Sequence, residues 1–166
     1  MIVVVMGVTS CGKSTIGKLL AKRLSLPFIE GDEFHPEENI LKMSKGIPLN
    51  DDDRRPWLQI LSHELQMHEK NKGAVLACSA LKESYRKILQ EGLNEKITWI
   101  YLEGTEEMIR KRMKERKNHF MPETLLQSQL STLEKPSYAY SFSIEKKPDV
   151  IVEEIMDILK KNAGNK

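Results

Sequence analysis

The chain has 166 residues, 40% hydrophobic and 30% charged, the balance of one globular domain with its own core. A formal net charge of +2 is too small to draw the chain to nucleic acid or a membrane surface, so neither partner is expected. The apolar opening, residues 1–8, is too short for a bilayer span and lacks the features of a secretory signal, and two cysteines, Cys11 and Cys78, make no disulfide framework, so a cytoplasmic protein with reduced thiols is expected.

Ile2–Met6 is a continuous branched apolar run, the pattern of a strand covered on both faces. Lys13–Leu24 reads as a helix, with Ile16, Leu19, Leu20 and Leu24 at helical spacing, and Pro27–Glu30 as a short second strand. Pro36–Lys45 is a predicted short helix: proline suits a first helical position, and Glu37 and Glu38 favour the positive end of the dipole. After a turn-rich loop, a long helix is predicted from about Asp53 to Lys72, with Leu58, Leu61 and Leu65 inward.

Gly73 ends that helix and Ala74–Cys78 is the third strand. Leu81–Glu91 is a helix, Ile97–Leu102 the fourth strand, and Thr105–Lys117 a very basic helix. Glu123–Leu133 is another helix, with Leu126, Leu130 and Leu133 inward, followed by a short strand near Phe142–Glu145 and a terminal helix carrying Ile151, Ile155, Ile158 and Leu159. Such alternation implies an α/β fold of three layers: a parallel sheet of about five strands with helices on both faces, in a single domain over residues 1–166.

The first strand runs into Gly7-Val8-Thr9-Ser10-Cys11-Gly12-Lys13-Ser14, which fits G-x-x-x-x-G-K-[ST] and opens a helix. The glycines let successive N–H groups turn inward, and the helix adds its unpaired N-terminal donors to the same anion. Lys13 then reaches the β- and γ-phosphates of a nucleotide, Ser14 ligates Mg²⁺, and Thr15 stands near the α-phosphate. Cys11 reads more simply as a small loop filler than as a reactive thiol. The fold expected is therefore that of the P-loop NTPases.

A cradle does not name the reaction. The guanine-reading Asn-Lys-x-Asp is absent, since Asn71-Lys72 continues as Gly73-Ala74, and the third strand ends in Ser79 where a motor ATPase would place a magnesium-binding Asp. Small-metabolite and nucleotide kinases remain. Three blocks narrow them: Glu30-Gly31-Asp32-Glu33-Phe34-His35-Pro36, then Pro48-Leu49-Asn50-Asp51-Asp52-Asp53-Arg54-Arg55-Pro56-Trp57, then Cys78-Ser79-Ala80-Leu81-Lys82 with Tyr85-Arg86. Arg112, Arg116, His119-Phe120-Met121 and Thr132-Leu133-Glu134 follow. In these blocks, in order from Met1 to about Pro136, the chain resembles the gluconate kinase family of P-loop enzymes. It departs from the usual family pattern at Glu30, where Asp is common, and at Cys11, where smaller residues are.

The resemblance implies Mg²⁺-dependent phosphorylation of D-gluconate by ATP, a lid over about residues 110–135, and a homodimer as a plausible assembly. It places Asp32 beside the acceptor hydroxyl as the base; the competing reading is a turn or cap residue. Glu30, two residues earlier on the same strand face, would help order the metal shell through water. His35 is either a substrate donor or a cap before Pro36. Arg54 offers a fork of donors for a carboxylate or phosphate. Lys82 and Arg86, four apart on the predicted helix, suit the carboxylate of an anionic acceptor, or are a solvent-facing basic pair; Ser79 would donate to the same ligand. Arg112 and Arg116, also four apart, are expected to close over ATP from the lid, anchored by His119 and Phe120. The alternatives are a kinase for shikimate or a nucleoside monophosphate, or a nucleotide-binding regulator without transfer.

Overall fold

The computed structural model describes residues 1–116 and 122–165. Its centre is β1 (Ile2–Met6), every residue of which is buried, because a strand between two parallel neighbours and two helical layers has no wet face. β2 (Phe28–Glu30), β3 (Ala74–Ala77), β4 (Thr98–Glu103) and β5 (Tyr140–Ser143) complete a parallel sheet in the order β2-β3-β1-β4-β5. From β1 the chain crosses to the edge at β2, returns to β3 beside β1, and then passes to the other side for β4 and β5. The reversal leaves a crevice at the carboxyl ends of the strands, where open α/β sheets bind ligands.

The helices are α1 (Lys13–Leu24), α2 (Glu37–Ser44), α3 (Asp51–Glu69), α4 (Glu83–Gln90), α5 (Glu106–Glu115), α6 (Thr124–Thr132) and α7 (Pro148–Gly164). α1 packs against β1, β3 and α7, while α3 packs against α4. The apolar stripes of α1, α3 and α7 enter one core with the strands, through Ile16 and Leu20, Leu58, Leu61 and Leu65, and Ile151 and Ile155. A second, small cluster of Met43, Leu49 and Leu125 joins α2 and the loop after it to α6. Among the described residues no helix is long and apolar enough to cross a membrane.

The expected α/β architecture is the one found, with differences at the ends of elements. α3 begins at Asp51 instead of near Asp53, because Asn50 caps it: Asp53 N–H donates to Asn50 Oδ1 and Asn50 N–H to Asp53 Oδ2, a reciprocal box that makes the acidic triplet the first turn. α4 begins at Glu83, with Lys82 still extended at φ −104° and ψ 153°. β5 lies two residues earlier than expected. A 3₁₀ turn over Gly31–Phe34, too short to leave a periodic trace, links β2 to α2.

Candidate active site

The phosphate loop follows β1 directly. Gly7 sits at φ +146°, where a Cβ would meet the Leu102 carbonyl at 2.9 Å and the Cys11 sulfur at 2.7 Å. Only glycine lets the backbone turn there. Val8 and Cys11 are buried beneath the loop in the main core, so the Cys11 thiol faces away from the ligand side. Gly12, at φ +98°, leads into α1, whose first N–H groups point at the same space. Lys13 Nζ donates to the Val8 carbonyl at 2.8 Å, across the loop.

A cavity of about 300 Å³ opens over this loop. Thr9, Ser10, Gly12, Lys13, Ser14 and Thr15 form its floor, Asp32 one wall, and Arg112 and Arg116 another. Asp32 reaches it from the 3₁₀ turn, and Gly31 allows the approach: a Cβ there would stand 2.5 Å from the Ala77 carbonyl. Arg112 donates from Nη2 to the Ile144 carbonyl at 2.8 Å and from Nη1 to the Cys11 carbonyl at 3.4 Å. Arg116, the residue after α5, donates to Ser10 Oγ at 3.3 Å. Both arginines therefore lie over the phosphate side. His119 and Phe120, expected as lid anchors, lie outside the described residues.

Glu30 and Ser14 meet: the Ser14 hydroxyl donates to Glu30 Oε2. Burial raises the Glu30 pKa, partly offset by this hydrogen bond. A serine hydroxyl whose proton goes to a carboxylate keeps its lone pairs for a cation, and one hydroxyl with one carboxylate nearby suits Mg²⁺, which retains several waters. The donor set fits that ion.

The residues expected on the acceptor side divide in two. Asp32 and His35 stand together, His35 Nε2 being 4.0 Å from Asp32 Oδ1. The imidazole stacks on Trp57 with ring centroids 4.0 Å apart, and burial pushes its pKa down to about 4. Arg54 and Lys82 instead line a neighbouring hollow at the start of α3, with Leu49, Asn50 and Thr132. Arg54 is buried and donates from Nη1 to the Leu49 carbonyl at 2.6 Å and to the Tyr85 hydroxyl at 3.2 Å. Lys82 Nζ donates to Asp51 at 3.0 Å, and Asp51 also accepts from Tyr85; both bonds hold the Asp51 carboxyl below its ordinary range.

Arg86 does not join this group. Because α4 starts after Lys82, the four-residue spacing does not put the two cations on one helical face. Arg86 is 3% exposed and donates to the Ala80 carbonyl at 2.7 Å, the Glu134 carbonyl at 2.9 Å and the Tyr138 hydroxyl at 2.8 Å. It clamps the chain around residue 134 to α4, and the expectation of a substrate contact is corrected to a scaffold role. Ser79 is half-buried. Its carbonyl accepts from Gly7 N–H at 3.4 Å, and no ligand-facing bond of its hydroxyl distinguishes it.

Sequence reasoning missed Gln129 and Asn39. Gln129 Oε1 accepts from Thr9 N–H at 2.7 Å, tying α6 to the phosphate loop, and the residue lines the cavity. Asn39 is a buried polar residue of α2. The available signal was the same for both: a carboxamide on the inward stripe of a helix, Gln129 between Leu126 and Leu130, Asn39 one turn before Met43.

Three comparisons set this site among known proteins. Residues 9–160 match the family model described as shikimate kinase. A probable gluconokinase of Xenopus tropicalis is 46% identical over 174 residues, covering 93% of this chain and 91% of that protein. The thermoresistant gluconokinase of Escherichia coli (strain K12) is 46% identical over 136 residues, covering 81% of this chain and 77% of its own. Among solved structures, a gluconokinase from Sinorhizobium meliloti 1021 superposes with a TM-score of 0.87 at 44% identity, covering 98% of this chain and 93% of that one. With the P-loop cradle, Asp32 and two arginines around one cavity, and relatives of this identity along nearly its whole length, the chain belongs to the gluconokinase family of P-loop kinases.

Proposed function

We propose that the chain transfers the γ-phosphoryl group of ATP to the primary hydroxyl of D-gluconate, giving ADP and 6-phosphogluconate. The observation that carries this reading is the single cavity shared by the phosphate loop, the Asp32 carboxylate and Arg116, in a chain whose curated relatives are named gluconokinases.

The loop N–H groups and Lys13 hold the β- and γ-phosphates, with Thr15 toward the α-phosphate. Ser14, backed by Glu30, would hold Mg²⁺, which when bound offsets phosphate charge. Asp32 accepts the hydroxyl proton as the oxygen forms its bond to the γ-phosphorus and the bond to the ADP oxygen breaks. No phosphoenzyme is needed. Arg112 and Arg116 stabilise charge on the transferred group and exclude water. Arg54 and Lys82 receive the acceptor's carboxylate at the far end of the site, where a planar fork and a point charge both suit an anion.

The test is ADP release from the purified protein with Mg-ATP, comparing D-gluconate with shikimate, AMP, glucose and no acceptor. A response to gluconate alone, with 6-phosphogluconate as product, is expected; a response to another acceptor alone would overturn the substrate. Asp32→Asn should cut turnover by about 10²–10⁴-fold while ATP binding persists, and near-normal turnover would remove Asp32 from the base role.

A further inference from the structure

Asn39 is a buried polar residue to which phosphoryl transfer assigns no task. It is 3% exposed on α2. Its Nδ2 donates to the Asp53 carbonyl at 2.9 Å and lies 3.3 Å from His35 Nδ1. A backbone carbonyl only accepts, so the group turned toward Asp53 is the amide NH₂, which has a second hydrogen to give. Nδ1 of His35 is then the acceptor, and the one proton of the uncharged imidazole sits on Nε2. The protonation pattern of the ring follows from a carbonyl fourteen residues further along the chain from Asn39.

The ring has little freedom to escape this arrangement. Its side chain is 4% exposed, and the planes of His35 and Trp57 are only 17° apart. Trp57 is in turn fixed by donating from Nε1 to the Gly31 carbonyl at 2.8 Å, and Gly31 precedes Asp32. One stack thus sets the imidazole and the carboxylate relative to each other. Burial disfavours the charged imidazole, the Arg54 charge adds to that effect, and Asp32 opposes it. The 4.0 Å between Nε2 and Asp32 Oδ1 is too long for a direct hydrogen bond, but a hydroxyl oxygen set to one side can reach both groups at about 2.8 Å.

We propose that Asn39 is a positioning residue that locks His35 as the Nε2–H tautomer, so that the imidazole donates to the acceptor hydroxyl while Asp32 accepts its proton. This rests on the acceptor-side reading of Asp32 given above. A hydroxyl oxygen bonded to carbon has one hydrogen and two lone pairs. With the hydrogen on Asp32 and one lone pair on His35, the remaining lone pair is the one left to attack phosphorus. His35 cannot serve as the base, since Nε2 already carries a proton and Nδ1 is covered by Asn39.

The test is a ¹H–¹⁵N long-range correlation spectrum of the imidazoles in the ¹⁵N-labelled full chain at neutral pH, with His35 assigned by its loss in His35→Gln. A protonated Nε2 and bare Nδ1 are expected; a protonated Nδ1, or an imidazolium, overturns the proposal without any activity measurement. In Asn39→Asp a carboxylate faces Nδ1, so the pattern should reverse. Turnover with the acceptor the enzyme uses should then fall about a hundredfold, with KM for ATP unmoved. A reversed tautomer with full turnover would equally overturn the positioning role. Failure of gluconate as substrate appears only in the ADP-release assay, whereas failure of the tautomer appears in the spectrum.

Discussion

Arg54 and Arg86 are both buried guanidinium groups, and their hydrogen bonds give them different tasks. Arg86 spends its donors on the carbonyls of Ala80, Leu81 and Glu134, the Tyr138 hydroxyl and the Glu83 carboxylate, whereas the hydrogen bonds of Arg54 to described residues leave from Nη1 alone. Arg86→Met should therefore cost about 3–5 kcal/mol, the scale for breaking a buried charge network, and leave KM for gluconate unchanged in the folded fraction. Arg54→Lys keeps the charge but loses the fork; KM for gluconate should rise about tenfold, roughly one charge-assisted hydrogen bond, with a smaller loss of melting temperature. Denaturant melts and initial-rate kinetics on the two variants separate the roles. His35 adds a pH dependence. Its folded pKa of about 4 lies below the ordinary 6.5, so between those values the unfolded chain binds a proton that the folded chain refuses. Stability should fall as pH drops through that window, and the slope should flatten in His35→Gln.

Among the elements, α3 is the one whose start shapes the hollow lined by Arg54 and Lys82, because its first turn carries Asp51, Asp53 and Arg54 together. Asp53 closes the capping box and also accepts from Lys42 Nζ at 2.9 Å, and these bonds hold its carboxyl below the ordinary range, the Asn50 backbone bond most of all. Asp53→Ala should cost about 1 kcal/mol at neutral pH. A depressed carboxyl stabilises above its unfolded pKa and loses that contribution as acid protonates it. The difference between variant and parent should accordingly shrink below about pH 4, which urea melts at pH 7 and pH 3 would show. α6 has a comparable bridging position: Leu125 enters the small cluster with Met43 and Leu49, and Gln129 holds the phosphate loop. One short helix touches both the phosphate loop and the cluster that joins α2 to the start of α3.

On the scale of the whole molecule, the site exists because the sheet reverses its winding at β1. The loop after β1, the turn after β2, the end of α5 and the face of α6 meet over that crevice, so a bound nucleotide holds together segments distant in the chain. Mg-ATP at a hundred times its Kd should therefore raise stability by about 2.7 kcal/mol, read as an upward shift in melting temperature. Lys13→Ala should lose most of the shift. Arg116→Ala should lose part of it, since Arg116 reaches the loop from outside the sheet through Ser10; an unchanged shift and unchanged turnover would remove it from the lid role.

What the sequence determined by itself is local. The run Ile2–Met6, the glycine spacing of residues 7–14 and the helical stripes follow from near neighbours, which is why β1 and α1 lie where they were expected. The α/β class follows from their alternation. Tertiary structure alone decided which polar side chains line the cavity and which are tied into the scaffold. Lys82 and Arg86 look like a pair in one dimension, yet the bonds that claim Arg86 come from Glu134 and Tyr138, 48 and 52 residues away. Gln129 finds its partner 120 residues back at Thr9. A buried donor goes to whichever acceptor the packed chain brings within about 3 Å, and that distance is settled only when the sheet and the helices have come together.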